Sequence, residues 1–286
     1  MRVALAQVAV ELGDLDANLA RAWSAIRAAR DAEADVVVFP ELHLSGYDLG
    51  RVVDDVALEA SDPRLGELAA AGDGMGVLLG FPEVSASGVH TYNSAAYFEG
   101  SHLLHVHRKL YLPTYDVFEE RKHFSPGTNL QAFDTAAGRV ATLICNDAWQ
   151  PMLPFLAVHD GARVLFVPAD SSQSRFPERY DSPTYWQDLV SFYGRMYQCF
   201  VVFVNRVGEE NRGTDHELRF WGRSHVVDPW GERLAEAADS AEDLLVVDLD
   251  KAAIRRRRRE VPLLKEARLG MLEREIRRLA DEGGDL

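Results

Sequence analysis

Cysteine is scarce in this sequence: Cys145 and Cys199 are the only two among 286 residues. That excludes a disulfide-stapled scaffold and fits a reducing compartment. No Cys-x-x-Cys or His-Glu-x-x-His spacing occurs, so no metal site is expected. His105 and His107, the closest approach to a ligand pair, alternate along a predicted strand and are expected to share a solvent face. Long apolar runs are also lacking. None reaches the length of a bilayer span, and the opening MRVALAQVAVELGDLDANL turns acidic before a signal-peptide core is complete, which predicts a cytoplasmic protein without membrane association. Basic charge is in deficit, with 31 Lys and Arg against 45 Asp and Glu and a formal net charge of -14. A general nucleic-acid binder needs a basic surface to displace counterions, so that class is disfavoured. The one basic run, Arg255 to Arg259, reads as a solvated or subunit-facing surface.

What is present is apolar material for a large core: 47% of residues are hydrophobic and 27% charged, which argues against disorder. Short runs rich in β-branched residues alternate with helical stretches, the pattern of an α/β or layered α+β fold. Strands are predicted at Val3 to Val10, Asp35 to Phe39, Gly76 to Gly80, Ser94 to Glu99 and His102 to Arg108, the last two forming a hairpin. Helices are predicted at Asp16 to Ala32, where Leu19, Trp23 and Ile26 fall at helical spacing, and at Leu65 to Ala71. The second half predicts strands at Arg139 to Ile144, Arg163 to Pro168, Phe200 to Asn205, Ser224 to Asp228 and Leu244 to Leu249. Helices near Trp149 to Asp160 and Trp186 to Gln198 separate them. No linker or repeat divides the chain, so residues 1–286 are expected to form one domain, with residues 262–286 a charged helical tail at a subunit interface. The long loop from Leu112 to Leu130 exceeds what a connection needs and is expected to be functional.

Three apolar strands stop at a reactive residue followed by a polar or proline-rich loop. They are VVVFPELHLSGY at Glu41, HVHRKLYLP at Lys109 and RVATLICNDAW at Cys145. Loops beyond strand ends are where sites assemble in open α/β architectures. A thiol with a pKa of about 8.5 is mostly protonated at neutral pH, so it needs a base to take its proton or a cation to hold its thiolate. Glu41 is suited to the first task and Lys109 to the second. Attack on an amide carbon puts charge on oxygen, for which Lys109 and the backbone N–H of Asn146 would serve as donors. Each residue also has a plainer reading. Free cysteines are commonly buried as small hydrophobes, Glu41 could cap a turn, and Lys109 could be a surface residue. Cys199, in QCFVVFV, keeps the plain reading as part of a buried strand.

Taken in order, FPELHLSGY, HRKLYLP and LICNDAW, with FSPG at Phe124 to Gly127, VNRVG at Val204 to Gly208 and WGRSHVVDPWGE at Trp221 to Glu232, resemble the nitrilase superfamily of carbon-nitrogen hydrolases. The resemblance runs nearly the full length. It implies an αββα sandwich, doubled to four layers across a dimer interface, a homodimer or larger homo-oligomer, and a Glu41, Lys109, Cys145 triad. It also implies a fourth member in the loop after the lysine, Glu120, with Glu119 its rival. Within the superfamily, LYLPTYDVFEERKHF and Gly46-Tyr47 look most like the glutaminase domain of glutamine-dependent NAD synthetases. Two departures stand out. That subfamily usually has an acidic residue directly after the nucleophile, where this chain has Asn146, and Arg195 to Gln198 replaces an Arg-Ala-x-Glu stretch of an interface helix. No Gly-rich pyrophosphate loop is present, so a complete synthetase is not expected in these residues.

The expected function is therefore cysteine-dependent hydrolysis of a small amide or N-carbamoyl substrate through a thioester, without a cofactor. A strict nitrilase and an ammonia-supplying subunit of a synthetase are the alternatives. Asp147 is expected to fix the turn after Cys145. Tyr47, Tyr115, Trp149, Ser171, Ser172 and Arg175 are candidate substrate contacts.

Overall fold

A computed structural model describes residues 1–282, apart from the side chain of Arg51. Two six-stranded sheets carry the fold. The first has parallel strands β1 (Arg2–Gln7), β2 (Val36–Val38) and β3 (Gly76–Val84), extended by antiparallel β4 (Thr91–Glu99) and β5 (His102–Arg108). The second has parallel β7 (Gly138–Thr142), β8 (Val164–Ala169) and β9 (Phe200–Asn205). Its antiparallel edges are β6 (Phe133–Thr135) on one side and β12 (His225–Val227) with β13 (Arg233–Glu236) on the other. A hairpin of β10 (Val207–Glu210) and β11 (Leu218–Trp221) stands apart, and β14 (Asp243–Asp248) returns to pair with β1.

Side-chain alternation along the strands shows how the layers stack. Val3, Leu5, Val36, Val38 and Leu78 face the second sheet in one apolar core with Val140, Phe166 and Val202. The residues between them, Ala4, Ala6, Val37, Val77 and Leu79, face helices α1 (Leu15–Asp31) and α3 (Pro63–Ala70), between which the one-turn α2 (Val53–Val56) falls in sequence. Successive strand residues point to opposite faces, so a strand buried on both sides reads as a continuous apolar run. Helices α4 (Met152–His159) and α5 (Ser182–Tyr197) cover the outer face of the second sheet through Leu153, Ala157, Trp186 and Val190. The order of layers is αββα.

Most predicted elements occur, with instructive exceptions. The first strand ends at Gln7 rather than Val10. Helix α1 buries Asn18, Ala22, Ile26 and Ala29, which leaves Trp23 45% exposed with the Arg27 guanidinium 4.6 Å above its ring. The face expected from Leu19, Trp23 and Ile26 is thus rotated, because alanines rather than the indole meet the sheet. The predicted helix at Trp149 to Asp160 is a 3-10 turn, Cys145–Trp149, followed by α4 from Met152. His107 is buried, and His105 stacks on Phe133 at 4.3 Å, so the solvent-facing reading of this pair is corrected: the strand's inner face abuts the second sheet. The arginine run belongs to helix α6 (Lys251–Glu260), where three arginines in the last turn suit the negative end of the helix dipole. In the tail, a 3-10 turn at Leu263–Glu266 precedes α7 (Leu269–Asp281), which buries no residue against the rest of the chain. Residues 283–286 lie outside the described residues. Among the described residues no helix is long and apolar enough to cross a membrane.

Candidate active site

Strand direction explains why three distant residues meet. Because β4 runs against β3 and β5 against β4, β5 runs parallel to β2, so Glu41 beyond β2 and Lys109 beyond β5 leave the first sheet at the same edge. Cys145 follows β7, and Asp170 and Arg206 follow β8 and β9, the next two parallel strands of that sheet.

The centre of the site is a buried ion cluster. Lys109 Nζ donates to Glu41 Oε1 and to Glu120 Oε1, both at 2.6 Å, and all three side chains are essentially inaccessible. Asn93 Nδ2 donates to the same Glu41 oxygen at 2.6 Å, and the backbone N–H of Asp170 holds Glu41 Oε2 at 2.8 Å. Tyr47 Oη donates to Glu120 Oε1 at 2.7 Å. Burial disfavours the Lys109 ammonium, but the Glu120 and Glu41 carboxylates outweigh it and hold its pKa well above the usual lysine value. Glu120 is pushed up to about 7, by burial first and then by Glu41, against the pull of Lys109. The choice between Glu119 and Glu120 is decided by direction: Glu119 pairs at the surface with Lys122, while Glu120 turns inward.

The Glu120 shift has a sign that can be tested. Between its ordinary value of 4.5 and about 7 the folded protein holds a proton that the unfolded chain releases. Its contribution to stability is complete below the unfolded value and is lost as pH rises through the folded one. The thermal midpoint of the wild type is expected to fall between about pH 5 and pH 8, and Glu120→Gln to flatten that slope, which calorimetry across the range would reveal. Equal slopes would refute the assignment.

Cys145 opens its turn with φ at 43°, in the left-handed region that few non-glycine residues adopt. Burial pushes its thiol pKa well up and the Glu41 charge adds to this, while Lys109 opposes both. The resting group is therefore a thiol, and its proton must leave as it reacts. Asp147 ties the turn to the lysine strand. One carboxylate oxygen accepts from the backbone of Leu110 and Tyr111, and the other from Ile144 N, with His107 Nε2 2.8 Å away. The expected turn-fixing role is thus accompanied by long-range bonds that set Lys109 relative to Cys145.

Glycines carry two further placements. A Cβ on Gly127 would lie 2.2 Å from Arg108 O, beside the Gly127 N–H that bonds Lys109 O at 2.8 Å, so the FSPG segment packs directly on the lysine's backbone. A Cβ on Gly80 would lie 2.5 Å from Pro40 O and 2.8 Å from Leu42 N, on either side of Glu41. Gly80→Ala is expected to destabilise the protein by on the order of 2 kcal/mol. It should also lower turnover by displacing Glu41; denaturant titration with parallel assays would check both.

A cleft above Cys145, with about 380 Å³ of empty volume including open solvent, is walled by Tyr115, Trp149, Tyr180, Ser171 and Ser172. Asn146 lies in the same wall, its amide bonded to Tyr111 O and its carbonyl to Tyr115 Oη. Of the expected contacts, Tyr115, Trp149, Ser171 and Ser172 line this cleft. Tyr47 and Arg175 instead line a neighbouring pocket with Glu119 and Glu120, and Arg175 donates to Asp215 O. Sequence reasoning missed Asn93, Asp170 and Glu210. Glu210 accepts from the backbone of Tyr47 and Asp48 and pairs with buried Arg206, the arginine of the VNRVG segment. Among the described residues no group of three or more His, Cys, Asp or Glu side chains is placed to hold a metal.

Fold and site together define an αββα sandwich with a buried Glu-Lys-Glu cluster beside a cysteine on a strained turn. The chain belongs to the carbon-nitrogen hydrolase family, whose model matches residues 2–259. It is 34% identical over 257 residues to a glutamine-dependent NAD(+) synthetase of Thermotoga maritima, covering 87% of this chain and 42% of that protein. It is 26% identical to an N-carbamoylputrescine amidase of Arabidopsis thaliana, covering 89% of this chain and 88% of that one. Among solved structures, Nit3 of Saccharomyces cerevisiae, a nitrilase-superfamily member, superposes with a TM-score of 0.79 at 28% identity, covering 94% of this chain and 96% of that one. The chain thus spans less than half the length of the synthetase it matches.

Proposed function

We propose that the protein hydrolyses a non-peptide carbon-nitrogen bond in a small amide or N-carbamoyl substrate, with Cys145 as nucleophile. The observation that carries this reading is the Lys109 ammonium bridging Glu41 and Glu120 at 2.6 Å each, in a buried cluster whose charges act on the Cys145 thiol. Glu41 takes the Sγ proton as sulfur attacks the carbonyl carbon. The new C–S bond leaves negative charge on oxygen, stabilised by Lys109 and the backbone N–H of Asn146. As the C–N bond breaks, Glu41 returns the proton to nitrogen and ammonia or an amine departs. Glu41 then deprotonates water, which attacks the thioester; the C–S bond breaks, the thiol regains its proton and the acid leaves. Glu120 holds Lys109 in line. The side chains and water suffice for this route.

Labelling by a thiol-reactive amide analogue, read by mass spectrometry, combined with ammonia release from a panel of amides, N-carbamoyl compounds and nitriles, tests the reading. An adduct on Cys145 with turnover of amides or carbamoyl compounds is expected. Labelling elsewhere, or turnover of nitriles alone, would overturn it. A second reading, ammonia supply to a separate synthetase, is favoured by the match to part of the Thermotoga maritima protein. Transfer of nitrogen to a synthetase's product in the presence of this chain would support that reading.

We further propose a homodimer or larger homo-oligomer, in which the sandwich is doubled across an interface. Met152 and Leu156 on α4 and Phe192 and Met196 on α5 are 40–50% exposed on the outer helical layer, and α7 presents Leu269, Ile276 and Leu279. Leu156→Glu with Phe192→Glu is expected to shift the sedimentation coefficient toward the monomer.

A further inference from the structure

The cleft that leads to Cys145 is unlike the rest of the site in its charge. Beneath it lie Glu41, Lys109 and Glu120, all buried and all engaged with one another. Its own walls are aromatic and hydroxylic. Trp149, Tyr180 and Trp186 line it together, with ring centroids 6.0 Å apart for Trp149 and Tyr180 and 5.3 Å for Trp149 and Trp186. Tyr115 and Phe118 add a second aromatic pair, edge to face at 5.8 Å. Ser171, Ser172, Ser174 and Ser182 supply hydroxyls. Among the described residues that line the cleft, one carries a formal charge: Asp116.

Asp116 is held in place rather than merely present. Its φ of 53° lies in the left-handed region, which aspartate and asparagine tolerate better than other side chains. The turn around it is closed by the Phe118 N–H to Tyr115 O bond at 3.0 Å, and Ser174 Oγ donates to its Oδ2 at 3.0 Å across the cleft. The nearest arginine in sequence on the facing loop, Arg175, is turned to Asp215 O and lines the other pocket. Asp116 is exposed and keeps an open side toward the cleft.

An electron-rich aromatic wall with one carboxylate is the arrangement that recognises an organic cation. Ring faces attract a cation through their quadrupole, and a carboxylate adds a direct charge pair. An anionic group in the same place would meet Asp116 and find no compensating cation in the walls. The net charge of -14 adds a long-range field of the same preference. We infer that Asp116, with Tyr115, Trp149 and Tyr180, selects substrates whose organic portion carries an ammonium group. Asp116 thereby supplies, from the cleft wall next to Tyr115, an acidic contact that neutral Asn146 does not offer.

The inference rests on the hydrolase reading, and its test separates the two. Amides of several chain lengths would be compared in three matched forms: ω-amino, ω-alkyl and ω-carboxy. The wild type is expected to favour the ω-amino form over the ω-alkyl form by about tenfold or more in kcat/KM, chiefly through KM. The preference should weaken as salt is raised. Asp116→Asn keeps the left-handed backbone and the acceptor for Ser174, and should bring the ratio close to one. Asp116→Lys should turn the preference toward the ω-carboxy form. Hydrolysis of all three forms at similar kcat/KM, or a preference that survives Asp116→Asn, would overturn the inference and leave the hydrolase reading standing. No turnover of any amide or N-carbamoyl compound, with Cys145 unlabelled, would remove both.

Discussion

A Cys145→Ala variant is expected to lose turnover by on the order of a millionfold, since removing a nucleophile that acts in a unit with its base abolishes the covalent route as a whole. Its fold should persist. Cys145 contributes a small side chain at the edge of the core, and the turn that carries it is held by Asp147, whose bonds do not involve the thiol. Cys199 is the internal control. It is fully buried just before β9, with its pKa pushed up to about 12 by burial, so it should be slow to label and Cys199→Ala should leave turnover near wild type. Equal loss in the two variants would argue that thiol burial rather than nucleophilicity matters. Retained turnover in Cys145→Ala would refute the mechanism.

Lys109→Met is expected to have the largest effect on stability. It removes the shared partner of two carboxylates in a site closed to water, and breaking a buried pair by deleting one member typically costs about 3–5 kcal/mol. Glu41 would keep Asn93 Nδ2 and the Asp170 N–H, whereas Glu120 would keep the Tyr47 hydroxyl. Glu120, already pushed up to about 7, should then remain protonated at neutral pH. Denaturant unfolding of Lys109→Met should show a midpoint that recovers as pH is lowered. A midpoint indifferent to pH would mean that the ion cluster does not set stability. Turnover should be lost together with stability, because in the proposed mechanism the same ammonium stabilises the oxygen that gains charge. Lys109→Arg keeps the charge but not the point-like donor, and should restore stability more than turnover.

The sequence was most legible where chemistry and strand pattern coincide. Glu41 and Cys145 each follow a β-branched run that has few places to go except a buried strand, whereas Lys109 follows the largely exposed hairpin strand HLLHVHR and is legible from its motif alone. Legibility failed where a residue's role depends on what crosses from another element. Trp23 looked like a core residue because its spacing is helical, but small alanines sit closer to the sheet. His107 looked solvent-facing because alternation gives two faces without saying which is covered, and the second sheet covers the inner one. Asn93 lies on β4 with no nearby reactive residue in sequence, and becomes a Glu41 partner through the turn of one strand over another. Glu210 and Arg206 brace Tyr47 from more than 150 residues away.

The sequence by itself determined the alternation of strands and helices, the three reactive strand ends and the family to which they point, because these depend on local periodicity and on residue type. Tertiary structure decided which glutamate joins the lysine, which aromatic rings wall the cleft, and that Asp116 rather than Asn146 presents a carboxylate there. Those outcomes turn on the relative direction of loops that are far apart in the chain. Packing of the two sheets fixes those directions, and no spacing within one segment encodes them.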